Sequence, residues 1–120
     1  PDYPDTHFSL SHTAGAAAAV LADTPVGVDI ERVRPVSVRA MERIAGVRTE
    51  AAFFRSWVRR EARVKRTGSG IVTMMRTEAQ LNRGEFYYEV DAFHGYAAGV
   101  AAGQPEPPQP VHRLMLDQLL

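Results

Sequence analysis

The sequence predicts an α+β domain, a mainly antiparallel sheet with a long helix packed on one face. Three observations lead there. Period-two alternation marks strands at His7–Ser11 and Val26–Glu31, and Phe86–Val90 with Tyr96–Ala101 reads as a further pair. A helical period runs through the stretch Phe53–Gly70. The order of elements, strands first, then helices, then a hairpin, suits helices gathered on one side of a sheet. At 120 residues the chain, residues 1–120, reads as one domain or part of one, with a single modest core.

Taken in order, Pro1–Thr6 is an irregular lead-in with two prolines and two aspartates. In the strand His7–Ser11, Phe8 and Leu10 fall to one side and Ser9 and Ser11 to the other. His12–Gly15 reads as a turn whose imidazole, hydroxyl and backbone amides suit an anion; a plain turn with a surface histidine accounts for it too. Ala16–Leu21 is a strand of small residues, and Asp23-Thr24-Pro25 makes the next turn. Val38–Ile44 is a short helix followed by Gly46. The long helix is N-capped by Thr49 and ends at Thr67-Gly68-Ser69-Gly70. Ile71–Met75 reads as a strand, Arg76–Arg83 fits neither period, and Arg83-Gly84 turns the chain into a hairpin joined around Ala92–Gly95. Gln104–Pro110 is proline-rich and extended, and Val111–Leu120 is a short apolar tail.

Composition removes several classes of function. The formal charge of zero gives no bulk affinity for nucleic acid or an anionic membrane. Without cysteine there are no disulfides, thiolate zinc sites or thiol nucleophiles. The four histidines show no HExxH spacing. The apolar run Ala14–Ala22 is too short to span a bilayer and lacks the basic flank of a signal peptide, so a soluble cytoplasmic protein is expected. Thirteen of the fourteen basic residues are arginine, and the one lysine is Lys65. A compact ammonium suits a phosphate or reacting oxygen better than a guanidinium fork does, although an arginine-biased composition also leaves lone lysines.

Two stretches carry the chemistry. At about 100° per residue, Phe54, Val58, Glu61 and Lys65 share one face of the long helix, opposite Arg55, Arg59, Arg63 and Arg66. A carboxylate and an ammonium on an apolar stripe need compensation. Either they pair at i, i+4, worth about 0.2–0.5 kcal/mol, or the stripe faces a polar site holding a metal or an anion. In VGVDIE, Val26, Val28 and Ile30 point to the core while Gly27, Asp29 and Glu31 point the other way. Two carboxylates on one strand face form an exposed acidic edge, or they hold a hard cation such as magnesium. Gly27 leaves room for a close approach.

Together, FSLSHTAG, VGVDIERVRP and FFRSWVRREARVKRTGSG resemble, in that order, the 4′-phosphopantetheinyl transferases of the surfactin-synthetase-activating (Sfp-like) group. That group carries an F-N-x-S-H-[ST] turn, a G-[VI]-D-[IVL]-E strand and a W-x-x-K-E-[AS]-x-x-K helix. The resemblance spans residues 7–71, and FYYEVDAFHGYAAGVAA is similar to the family's closing hairpin. It implies one pseudo-repeat of the transferase fold, the C-terminal half of a two-half enzyme, with an N-terminal half or a second subunit completing the site. It also implies magnesium held by Asp29, Glu31 and Glu61 beside the diphosphate of coenzyme A. Lys65 would contact the phosphates or assist proton transfer, Ser11 and His12 would face the nucleotide end, and Arg60 stands where the family has its first helix lysine. A serine of an acyl or peptidyl carrier protein would attack the β-phosphate and release 3′,5′-ADP, with Glu61, directly or through water, taking the proton. Ser9 replaces the usual asparagine, and the intervals Glu31–Glu61 and Gly70–Phe86 are short for the group.

Two other readings stand beside this one. The first is a non-catalytic module that binds coenzyme A or a carrier protein, motivated by Arg60 and the half-length. The second is nucleic-acid binding through the arginine face, which neutral charge and the lack of interleaved exposed aromatics oppose.

Overall fold

Alternation places the strands, and the structure divides them between two sheets. In this computed structural model residues 6–68, 81–91 and 93–105 are described, together with the backbone of 111–115. The strand expected at Ile71–Met75 lies outside the described residues, as do Arg76–Gln80 and the ends of the chain. Strands β1 (His7–Thr13), β2 (Ala16–Ala22) and β3 (Gly27–Arg32) come first. Helices α1 (Val38–Ala45) and α2 (Glu50–Thr67) follow, then β4 (Phe86–Val90), β5 (Tyr96–Ala102) and β6 (Val111–Met115). One antiparallel sheet has the order β1-β2-β6 and the other β3-β5-β4.

Two differences from the sequence reading are local. β1 continues through His12 and Thr13, and the ladder closes at Thr13↔Ala16. The turn is therefore only Ala14-Gly15, with Gly15 at φ 80, a value that favours glycine. The apolar tail supplies β6, which pairs with the free side of β2.

Between the sheets, Ala16, Ala18 and Val20 of β2 meet Val28 and Ile30 of β3 and Ala98 and Val100 of β5 in one buried cluster. The alanines let the sheets come close. A second cluster joins Met41 of α1 to Phe53 and Phe54 of α2, with Trp57 and Val33 at its margin. The caps of α2 are those the sequence indicates: the Thr49 hydroxyl accepts the Ala52 amide at 3.2 Å, and Gly68 ends the helix in the left-handed region. α2 lies on the outer face of the second sheet, against β3 and β5, so β3 is covered on both faces. The acidic strand is accordingly not an exposed edge.

Burial on β1 runs against the usual sense of alternation. Phe8 and Leu10 are 72% and 57% exposed, whereas Ser9 and Ser11 are buried. The cause lies at the edge of β3 that β5 does not pair. Its amides at Val28, Ile30 and Arg32 donate to the hydroxyls of Ser9 (3.0 Å), Ser11 (3.1 Å) and Thr13 (3.4 Å). The constant offset of 19 residues shows the two strands running parallel. Side-chain oxygens thus take the place of carbonyls in a ladder, satisfying edge donors that burial would otherwise orphan.

The buried stripe of α2 is also rotated from the expected one. It contains Phe53, Phe54, Val58, Ala62 and Arg63, while Glu61 is half-buried and Lys65 is exposed. Gly27 explains the rotation. A Cβ there would collide with the Ala62 carbonyl and stand 2.6 Å from the Arg66 amide. The missing side chain lets the helix seat at Ala62, so the close approach that Gly27 allows is made by α2. Among the described residues, no helix is long and apolar enough to cross a membrane.

Candidate functional site

Asp29 is the centre of the site, buried to 3% exposure under α2. Its Oδ1 accepts the Ser11 hydroxyl at 2.9 Å and the Lys65 ammonium at 3.3 Å. Lys65 Nζ also reaches the carbonyls of Val28 (3.2 Å) and Leu10 (3.4 Å), so it closes the gap between β1 and β3. The ion pair Lys65 makes is therefore with Asp29, across the sheet, rather than one turn away with Glu61. Asp29 Oδ2 is buried without a hydrogen-bond partner. Burial pushes the Asp29 carboxyl up to about 7 against the pull of Lys65 and Ser11, and the charges of Glu31 and Glu61 add to the rise.

The other two expected ligands are not gathered on this centre. Glu31 follows on the same strand face, and its Oε1 accepts from Arg34 at 3.2 Å. Glu61 lies on α2, near enough to bear on Asp29 electrostatically. Among the described residues, no group of three or more carboxylate or histidine side chains stands close enough to enclose a metal. The one buried oxygen left without a partner at this centre is Asp29 Oδ2, and the charges of Asp29 and Glu31 are met by Lys65 and Arg34.

Three expected binding residues are dispersed. Ser11 and His12 are consecutive strand residues and so point to opposite faces. Ser11 is buried against Asp29, and His12 is exposed. Arg60 lines a cavity of about 420 Å³ with Arg55, Ser56, Arg59, Tyr87 and Glu89. That cavity lies toward β4, whereas Lys65 works at β3, on the far edge of the same sheet. Arg60 and Lys65 thus serve different flanks of α2.

Sequence reasoning missed two features. The arginine face is not simply solvated, because Arg63 is buried and forms a two-point ion pair with Glu85, at 2.8 Å for each bond. Burial pushes the Glu85 carboxyl up, but Arg63 and the Asn82 amide more than offset this and hold it below its usual range. Nothing near Arg63 in sequence signals a partner 22 residues away. The second is the run of hydroxyls along β1. The alternation Ser9, Ser11, Thr13 was visible, but the usual rule sends hydroxyls outward.

Comparisons with known proteins bear on this arrangement. No protein-family model matches the chain. The 4′-phosphopantetheinyl transferase psf-1 of Bacillus pumilus is 36% identical over 80 residues, which cover 57% of this chain and 34% of that protein. The 4′-phosphopantetheinyl transferase Sfp of Bacillus subtilis (strain 168) is 26% identical over 149 residues, taking in 100% of this chain and 65% of its own length. The chain is similar to several Sfp-like 4′-phosphopantetheinyl transferases. A third relative in the family, the 4′-phosphopantetheinyl transferase gsp of Aneurinibacillus migulanus, is 27% identical over 79 residues, 56% of this chain and 33% of that protein. The chain spans less than two thirds of the length of each of these curated relatives. The Bacillus subtilis alignment runs over 149 positions against 120 residues here.

Proposed function

We propose that this chain forms the coenzyme A and carrier-protein site of a 4′-phosphopantetheinyl transferase, corresponding to the C-terminal half of the two-half enzymes. The observation that carries the reading is the Asp29 carboxylate. It is buried, bonded through one oxygen to Ser11 and Lys65, with the other oxygen buried and without a hydrogen-bond partner, and it feels the charges of Glu31 and Glu61. A structural ion pair has no use for an orphaned buried oxygen, and a cation site does.

In this reading Asp29 Oδ2, Glu31 and Glu61 hold magnesium, with Glu31 giving up its exposed contact to Arg34. When bound, the ion neutralises the diphosphate of coenzyme A and stabilises charge on the transferring phosphoryl group. Lys65, whose side chain is one third exposed, turns from the strand carbonyls to a phosphate oxygen. The carrier serine is positioned for attack, and Glu61 accepts its hydroxyl proton. A new bond forms between the serine oxygen and the β-phosphorus, the bond to the bridging oxygen breaks, and 3′,5′-ADP leaves. Positioning and charge neutralisation are the main requirements of such a transfer. The acidic surface of a carrier protein suits the arginine flank of α2.

Intact-protein mass spectrometry of an apo carrier protein incubated with the full-length protein, coenzyme A and magnesium tests this reading. The expected result is a mass gain of one phosphopantetheine arm, abolished by chelation and by Glu61→Gln. Coenzyme A binding without any mass gain would leave a binding module instead.

A further inference from the structure

We infer that the cavity between α2 and β4 binds a small phosphate monoester, with its phosphoryl group on Arg55 and Arg60 and an apolar body running along the sheet. The site lies on the flank of α2 away from Lys65 and does not depend on the function proposed above. Helical spacing builds its roof. Arg55, Arg59 and Arg63 recur four residues apart, and Ser56 and Arg60 repeat that interval one position on, so one side of α2 lines the cavity of about 420 Å³ with four guanidiniums and a hydroxyl. Two of the four are engaged: Arg63 pairs with Glu85, and Arg59 lies over the Tyr87 ring at 5.1 Å. Arg55 and Arg60 make no hydrogen bond or ion pair among the described residues.

Tyr87 and Glu89, alternate residues of β4, form the floor. A Cβ on Gly99 would overlap the Tyr87 hydroxyl, so the bare glycine lets the ring lie across β5 instead of standing up into the cavity. Burial pushes the Tyr87 phenol above its usual range, which keeps its hydroxyl a proton donor. Charge selects the ligand class. With Arg63 neutralised by Glu85, three guanidiniums stand against the carboxylate of Glu89, an excess of two positive charges. A phosphate monoester is close to a dianion at neutral pH and accepts guanidinium forks, whereas a carboxylate carries half that charge. A second cavity of about 250 Å³ adjoins the first, sharing Arg55, Tyr87 and Glu89, and Val33, Val58, Val90 and Ala98 contribute to its walls. A ligand with an anionic head and a short apolar body fits the pair.

The experiment is a calorimetric titration of hexyl phosphate into the full-length protein at fixed ionic strength, beside inorganic phosphate and hexanoate. Hexyl phosphate is expected to bind more tightly than either. Losing one charge-assisted contact in Arg55→Gln or Arg60→Gln should weaken it about tenfold. Arg39→Gln, the same change of charge at an exposed position on α1, should leave it unaltered. No binding by the parent would overturn the inference, as would equal affinity in the parent and both cavity variants, or equal weakening in all three. Hexanoate binding as tightly as hexyl phosphate would overturn the phosphate assignment, and inorganic phosphate binding as tightly would overturn the apolar body. Coenzyme A carries a phosphate monoester of its own, so competition separates the two sources. Displacement of hexyl phosphate by coenzyme A would return the cavity to the coenzyme A site and overturn a second ligand, and no displacement marks the cavity as a site in its own right.

Discussion

At Asp29 the fold accepts an electrostatic cost that pH can measure. Its carboxyl stands near 7 when folded and at 3.8 otherwise. Between those values the folded chain keeps a proton that the unfolded chain has lost. The contribution of Asp29 to stability is therefore largest below pH 4, falls as pH rises toward 7, and is level above that. Asp29→Asn removes the slope. The expected outcome is a Tm close to the parent's at pH 4 and higher than the parent's at pH 7.5 in chelator, together with loss of any magnesium-induced shift. An Asn variant that loses stability with pH as the parent does would place the titrating group elsewhere. Glu85 has the opposite sign, its paired carboxylate contributing above the ordinary range and losing that contribution as acid protonates it. Removing one partner of a buried pair such as Arg63–Glu85 typically costs about 3–5 kcal/mol. Glu61 and Lys65 were conspicuous in the sequence because they sit on the apolar stripe of the helix, and Asp29 because it shares a strand face with Glu31. The partners were not, since Lys65 and Asp29 lie 36 residues apart.

Among the elements, α2 shows most clearly what sequence can and cannot convey. Its ends were legible because caps are local: Thr49 and Gly68 act within a turn of themselves. Which face is buried was legible only in part, because the rotation is fixed by a glycine on another element. Gly27→Ala puts a methyl group into the Ala62 carbonyl. Overpacking of that kind costs about 1–3 kcal/mol or more, and the loss is expected toward the upper end because the obstacle is backbone. Urea denaturation should show it, and a near-neutral variant would mean that α2 is free to lift from β3. The division into two sheets was illegible for a related reason. Alternation marks each strand without naming its neighbour, and the hydroxyl seam joins β1 to β3 through side chains that the outward-polar rule assigns to solvent.

For the whole molecule, three layers result: the sheet of β1, β2 and β6, the sheet of β3, β5 and β4, and α2 over the second. The site falls where all three meet, at the seam, with Lys65 reaching down from the helix to both sheets. That meeting point gives the chain a built-in chemical reporter. Lys65 is its only lysine, so an amine-selective acylating reagent finds one side-chain amine in these 120 residues, already engaged by a carboxylate and two carbonyls. Labelling of the peptide containing Lys65 should be slow, accelerate in Asp29→Asn, and slow further when coenzyme A and magnesium are added together. Protection by coenzyme A would fail to appear if the phosphates lie elsewhere. The reaction rate of a single nitrogen thus becomes a measure of whether the site is open, clamped or filled.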